Sequence, residues 1–220
     1  MYPFPLLHNR AAIHPLFGPA LKGDPLVFDF SSKNPWTKEL KTDDVRSFQD
    51  AIDIALQQAG KQWGIGRYLE ERATVLRHYP QMIREGRIFH VGLDITALPG
   101  TSLYAPIDST VFRIGKEEGI GNYGGYVMLR HELEADVFYS FYGHLNARHI
   151  VKQGDKLAMG QRFAVIGDWQ DSGGWFTHTH LQILTQQAVD AGRMFQGYVA
   201  PEDLPTLNDF FPSPYPLFRY

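Results

Sequence analysis

Cysteine is absent from this chain of 220 residues. Neither a disulfide framework nor a thiolate metal site can therefore form, and any bound metal must be held by imidazole and carboxylate groups. No segment approaches 18 apolar residues, so no membrane-spanning helix is expected. Basic residues do not alternate with aromatic ones, and 21 Lys and Arg face 24 Asp and Glu. Nucleic acid is therefore not an expected partner.

The N-terminus also lacks the basic start and apolar stretch of a signal peptide. As written, the sequence predicts a cytoplasmic protein; a true start further upstream would make a periplasmic or extracellular location the expectation. The length favours one main domain with extensions over two equal domains. The sequence leaves the oligomeric state open.

Composition divides the chain into three segments. Residues 1–85 form a proline-rich arm and a helical extension, residues 86–190 are rich in short β runs, and residues 191–220 form a Pro- and Phe-rich packing tail. The extension contains one strong predicted helix, Thr42 to Ala59, with Thr42 as N-cap and Gly60 after its end. A short strand is predicted from Leu26 to Phe30, and a weaker helix from Tyr68 to about Ile83.

The middle segment predicts strands, because Val, Ile, Thr and aromatic residues recur in short runs broken by glycine turns. The expected strands are Phe89 to Ile95, Ser102 to Tyr104, Ser109 to Ile114, Tyr126 to His131, Val137 to Tyr142, Phe163 to Ile166 and His178 to Leu184. The expected fold class is therefore mainly β with a helical N-terminal extension (α+β), built on an antiparallel sheet or sandwich.

Three histidine-bearing motifs lie in this β segment. His90 and Asp94 are four residues apart, and they could share one ion only if the strand bends, which Gly92 permits. His178 and His180 lie two apart, so they share one face of a strand. His144 ends an aromatic strand.

Each motif has an ordinary explanation when taken alone, either an exposed strand pair or a capped histidine. Together they favour a metal site. His8, His14, His78 and His149 suit the surface better. His131 starts a His-Glu-Leu-Glu-Ala stretch, but alanine stands at position 135, where the helical zinc motif needs its second histidine.

The order of these motifs resembles the lysostaphin-type, or LytM-like, zinc peptidases that cleave peptidoglycan. The resemblance runs from about Arg87 to Leu184. It comprises His-x-Gly-x-Asp at 90–94, Pro-Gly-Thr at 99–101, Ala-Pro-Ile-Asp at 105–108, Tyr-Gly-Gly at 123–125, Tyr-Gly-His-Leu at 142–145, Val-Lys-Gln-Gly-Asp at 151–155, Gly-Gln at 160–161 and His-x-His-Leu at 178–181.

The resemblance implies one zinc ion held by His90, Asp94 and His180, with His144 and His178 as catalytic residues. It also implies a fold with a duplicated hybrid motif, related to biotinyl and lipoyl carrier domains. Asn122, Tyr123 and Tyr142 are weaker candidates for substrate binding. Ser109 and the run Trp175-Phe176-Thr177 depart from the family pattern, which affects the expected substrate groove rather than the metal.

The expected function is that of a zinc metallo-endopeptidase acting on peptidoglycan-type cross-links or short wall peptides. One alternative is a zinc hydrolase of a non-wall intracellular substrate, which the missing export signal favours. The other is a non-catalytic binding or carrier-like module. A carrier needs a modifiable lysine at a hairpin tip, and no such signature stands out.

Overall fold

The protein is mainly β in the computed structural model, which describes residues 1–9, 12–134 and 136–220. Ala135, which argued against the helical zinc motif, lies outside the described residues. The strands are β1 (Leu26–Phe28), β2 (Gly64–Gly66), β3 (Phe89–His90), β4 (Leu93–Thr96), β5 (Ser102–Tyr104), β6 (Ser109–Glu117), β7 (Gly124–Leu133), β8 (Asp136–Leu145), β9 (Lys156–Leu157), β10 (Arg162–Val165), β11 (Thr179–Thr185) and β12 (Tyr198–Val199).

The helices are short except for one. They are α1 (Trp36–Glu39), α2 (Val45–Gln58), α3 (Pro80–Arg84), α4 (Gln186–Asp190) and α5 (Leu207–Phe210), with 3-10 helices at Pro5–His8, Val75–His78 and Pro201–Thr206. No helix of the described residues is long and apolar enough to cross a membrane.

One eight-stranded sheet, in the order β1-β2-β4-β11-β8-β7-β6-β9, organises the molecule. Only the β1–β2 pair in it is parallel, so the sheet is mixed rather than purely antiparallel. Strand β11 lies between β4 and β8, which places its side chains at the centre of the sheet. Two small sheets, β10 with β5 and β12 with β3, flank it.

The strand predictions from periodicity hold, with one informative exception. The expected strand from Phe89 to Ile95 is two strands in different sheets, separated by a bend at Gly92. Strands β2, β9 and β12 were not predicted, because runs of two or three residues carry no measurable alternation.

The helix predictions hold only in part. Helix α2 lies where it was expected, but its N-cap is Asp44, whose side chain accepts from the Arg46 amide. The helix predicted from Tyr68 is wrong up to Thr74. Leu69 has a positive φ of 57°, and the backbone there pairs with β3 instead of coiling. Pro80 then starts the separate helix α3.

The proline-rich arm and the C-terminal tail pack on the main sheet. One buried apolar core contains Phe4, Leu16 and Phe17 of the arm, Leu217 and Phe218 of the tail, and Leu93, Tyr142 and Ile183 of the sheet. Strands β1 and β2 also come from the first 85 residues and extend the sheet beside β4. The division of the chain into three domain-like segments stays a prediction from composition.

Candidate metal centre

Three predicted ligand residues meet at the middle of the sheet. Asp94 on β4 stands directly opposite His180 on β11, and the bend after His90 turns that imidazole back toward them. His90 Nε2 lies 3.1 Å from His180 Nδ1 and 3.2 Å from Asp94 Oδ1. The third separation, His180 Nδ1 to Asp94 Oδ1, is 3.1 Å. The three atoms therefore form a nearly equilateral triangle.

This triangle fits a small tetrahedral metal ion. Two ligands at about 2.0–2.1 Å from a tetrahedral zinc are about 3.3 Å apart, and the observed edges are close to that value. All three residues are buried. Two imidazoles and one carboxylate are donors that zinc accepts, and three protein ligands are the number that a catalytic zinc site uses.

Hydrogen bonds to the opposite ring nitrogens fix the orientation of both imidazoles. His90 Nδ1 donates to the Arg67 carbonyl at 3.0 Å, so Nε2 faces the centre. His180 Nε2 donates to Gln182 Oε1 at 3.0 Å, so Nδ1 faces it instead. Because a neutral imidazole has one donor and one acceptor nitrogen, these partners leave a lone pair on each inward nitrogen.

His144 and His178 lie side by side next to the triangle, with ring centroids 4.3 Å apart. Nδ1 of His144 donates to the Ser172 carbonyl at 2.7 Å, and Nδ1 of His178 donates to the Phe176 carbonyl at 2.8 Å. His178 Nε2 is 3.5 Å from Asp94 Oδ1. Both rings are therefore anchored at Nδ1, which leaves Nε2 of each ring able to accept a proton.

The backbone at His144 is strained, because a residue with a Cβ has a φ of 57° there. Such left-handed residues cost about 1–3 kcal/mol and occur at functional sites more often than elsewhere. Two backbone hydrogen bonds stabilise the conformation. The His144 amide donates to the Tyr123 carbonyl at 2.7 Å, and the His144 carbonyl accepts from the Gly167 amide at 3.0 Å. This conformation falls at the penultimate residue of strand β8, where the imidazole lies near the rings of His178 and His180.

Burial and nearby charges together favour the deprotonated forms of the side chains at this centre. Burial lowers the pKa of His90 to about 4, and the nearby Arg72 adds to this. Burial would raise the pKa of Asp94, but His90 and the Arg72 guanidinium outweigh it and hold this pKa well below its ordinary value. Burial, with His178 and His180 nearby, also lowers the pKa of His144. His90 and His144 are therefore neutral near pH 7, beside an ionised Asp94 carboxylate.

A cleft of about 550 Å³ opens onto this centre. Its walls include Asn122 and Tyr123 from the β6–β7 hairpin, and Tyr79 and Trp175 from two other segments. Tyr142 lies elsewhere: it is completely buried and packs edge-on against Phe163 at 4.9 Å. Two of the three weaker candidates for substrate binding thus line the cleft, and Tyr142 belongs to the core.

The other histidines have separate environments. His78 is exposed and lines the cleft rim. His131 is buried, with Nε2 2.6 Å from the Ser140 hydroxyl, so it is a core histidine with polar partners. His149 bonds the Gly115 carbonyl at 3.0 Å.

Four polar residues around the centre were missed by sequence reasoning: Glu70, Arg72, Gln182 and Tyr198. Gln182 could have been found, because it shares the strand face of His180 at a spacing of two. The positions of Glu70 and Arg72 could not, because a helix was expected there. Tyr198 stands beside His90 through the pairing of β12 with β3, which connects distant parts of the chain.

Comparison with known proteins finds a family match for part of the chain. Residues 88–191 match peptidase family M23. Over 125 residues the chain is 34% identical to an uncharacterized metalloprotease of Haemophilus influenzae, and the match covers 54% of this chain and 25% of that protein.

Solved structures are also similar. A zinc-containing peptidase from Vibrio cholerae is 26% identical with a TM-score of 0.38, over 45% of this chain and 28% of that one. The catalytic domain of lysostaphin from Staphylococcus simulans is 21% identical with a TM-score of 0.40, over 54% of this chain and 79% of that one. The chain spans about a quarter of the length of the Haemophilus and Vibrio proteins.

The His-Asp-His centre lies inside the segment that matches this metallopeptidase family. The segment 88–191 is thus similar to peptidase family M23, in agreement with the resemblance that the order of the motifs predicted.

Proposed function

We propose that this chain is a zinc-dependent metallo-endopeptidase that hydrolyses peptide bonds of peptidoglycan-type cross-links or short wall peptides. His90, Asp94 and His180 hold one zinc ion, and His144 and His178 are the catalytic residues. The observation that carries the proposal is the triangle of inward-facing Nε2, Oδ1 and Nδ1 atoms, with edges of 3.1–3.2 Å, beside two further anchored histidines.

Zinc, when bound, supplies Lewis acidity and favours ionisation of a water molecule near neutral pH. The protein supplies the rest. A neutral ring that donates from Nδ1 to a carbonyl has a lone pair on Nε2, so both His144 and His178 can accept a proton there. Once protonated, the same Nε2 can donate a hydrogen bond to a developing oxyanion. We propose that the two rings share these tasks.

The substrate enters through the cleft of about 550 Å³, where Asn122 and Tyr123 contact it. Tyr123 stands close to the centre, with its hydroxyl 3.5 Å from His180 Nε2 and 3.4 Å from Gln182 Oε1. We propose further that the matched segment keeps the duplicated hybrid motif of the biotinyl and lipoyl folds. On this proposal, residues 86–190 are the peptidase domain, residues 1–85 the extension and residues 191–220 the packing tail, in a cytoplasmic protein.

The proposal is tested with purified protein and three variants. Wild type is expected to hold one zinc per chain and to cleave peptidoglycan-derived peptides, with activity lost to a chelator and restored by zinc. His180→Ala should lose zinc and activity together. His144→Ala should keep zinc while turnover falls by about 10²–10⁴-fold, as for loss of an acid–base group.

His149→Ala is the matched control, because among the described residues the side chain of this histidine bonds only the Gly115 carbonyl of β6, and it should behave as wild type. Full turnover in zinc-loaded His144→Ala would refute the assigned role. Zinc binding with cleavage of unrelated peptides alone would point to a non-wall hydrolase. Zinc binding without any cleavage would point to a binding module.

A further inference from the structure

We propose that Arg72, held by Glu70, is a positioning residue that presents Asp94 to the metal through Oδ1 alone. This inference rests on the proposed zinc site and adds to it a part of the chain outside the matched segment. The consequence is that the N-terminal extension completes the metal centre.

A buried chain of ionic bonds leads from the extension to the ligand. Arg72 Nη1 donates to Asp94 Oδ2 at 2.6 Å, and Arg72 Nε donates to Glu70 Oε2 at 2.9 Å. The side chains of these three residues are at most 5% exposed. Because an unpaired buried charge is costly, each member depends on its neighbour.

The two oxygens of the Asp94 carboxylate have different partners. Oδ1 faces His90, His178 and His180 at 3.1–3.5 Å, whereas Oδ2 is taken by the guanidinium. A carboxylate free to rotate could offer both oxygens to a metal. With Oδ2 bonded to Arg72, only Oδ1 remains, which keeps the number of protein ligand atoms at three.

Glu70 is itself fixed from several directions. Its Oε1 accepts from Phe30 N at 3.1 Å and from the guanidinium of Arg67 at 2.7–2.9 Å. The Arg72 guanidinium also lies over the Phe30 ring, at 5.0 Å from its centroid. A planar group with several donors suits this place, and a lysine could not form the same set of bonds.

The same segment also positions His90. The Arg67 carbonyl accepts from His90 Nδ1. Backbone bonds run from Leu69 N to His90 O at 2.7 Å and from His90 N to Glu70 O at 3.0 Å. Two of the three proposed ligands are therefore oriented by residues 67–72, which precede the matched residues 88–191.

The test compares metal binding of wild type, Arg72→Lys and Arg72→Gln, with folding checked by circular dichroism in chelator. Zinc affinity is measured by competition with a chromophoric chelator. The visible spectrum of the Co²⁺-loaded protein reports the coordination number, because four-coordinate Co²⁺ absorbs much more strongly than five- or six-coordinate Co²⁺. Both variants are expected to bind zinc about 10–100-fold more weakly and to show weaker Co²⁺ bands as Oδ2 becomes available.

Arg77→Lys is the matched control. Arg77 lies in the same part of the chain, but its guanidinium bonds only the carbonyls of Thr37, Leu40 and Thr74 among the described residues. It should leave zinc affinity and the Co²⁺ spectrum unchanged. The lysine variant keeps the charge, so it tests the bonding geometry even if Arg72→Gln fails to fold.

Wild-type affinity and an unchanged Co²⁺ spectrum in folded Arg72→Lys would overturn this inference while leaving the zinc site intact. Failure of wild type to bind zinc would instead overturn the proposed function. A merely structural role for Arg72 would lower thermal stability without changing the Co²⁺ spectrum, and that result also contradicts the inference.

Discussion

At the scale of single residues, glycine has a specific role beside the metal centre. The sequence predicted that Gly92 permits a bend between His90 and Asp94, and the bend is present. The structure adds a second reason for glycine. A Cβ at position 92 would lie 2.5 Å from His180 Nε2 and 2.9 Å from Nδ1, and closer still to Cε1. The imidazole of the third proposed ligand thus occupies the space that any side chain would need.

Gly92→Ala is therefore expected to displace the His180 ring and weaken zinc binding at least about tenfold, as disturbed metal shells do. It should also destabilise the metal-free protein by about 1–3 kcal/mol through overpacking. Chelator competition and urea unfolding measure the two effects. Gly154→Ala is the comparison: open space surrounds it but its φ is 92°, so it should lose stability and keep zinc affinity. Unchanged zinc affinity in Gly92→Ala would contradict the packing argument.

At the scale of elements, helix α2 shows what sequence patterns can and cannot provide. Its body was predicted from the apolar stripe, and Phe48 and Ile52 are indeed buried. Its cap was not, because Thr42 and Asp44 are both good capping residues. The structure separates the two, because Thr42 is buried whereas the Asp44 side chain caps the helix. The Thr42 hydroxyl has no hydrogen-bond partner within residues 1–9, 12–134 and 136–220.

The two capping candidates give opposite predictions. Asp44→Ala should destabilise the protein, because it removes the acceptor of hydrogen bonds from Arg46 N and from the Ser47 hydroxyl. Thr42→Val should be neutral or slightly stabilising, since it replaces an unpaired buried hydroxyl with a methyl group of similar size. Urea unfolding with chelator present measures both. A larger loss in Thr42→Val than in Asp44→Ala would restore Thr42 as the functional cap.

The strands show the same division between local and long-range information. Alternation located most strands of the β segment, because that signal is local. It could not show that Asp94 stands opposite His180 or that Tyr198 stands opposite His90, since register depends on pairing between distant residues. The family resemblance, rather than the strand pattern, predicted that these motifs meet at one site. Neither source could place Arg72, whose bond to Asp94 depends on an extended segment where the composition favoured a helix.

At the scale of the whole molecule, buried histidines link stability to pH. Burial lowers the pKa of His131 to about 4 and that of His90 to about 4, and it also lowers that of His144. In the unfolded chain each would titrate near 6.5. Between these values the unfolded state binds more protons than the folded state. The free energy of unfolding must therefore decrease as the pH falls through this window.

His131 offers a clean test, because it lies in the core away from the proposed ligands and bonds Ser140. We expect metal-free wild type to be most stable above about pH 6.5 and to lose stability progressively toward pH 4, with roughly 3 kcal/mol of the loss due to His131. His131→Gln removes the titrating group, so its stability should vary less with pH, whatever its absolute value. Urea unfolding at intervals from pH 7.5 to 4, with chelator to exclude metal release, measures both profiles. Parallel profiles would mean that His131 titrates alike in the folded and unfolded chain, and that the core does not hold it neutral.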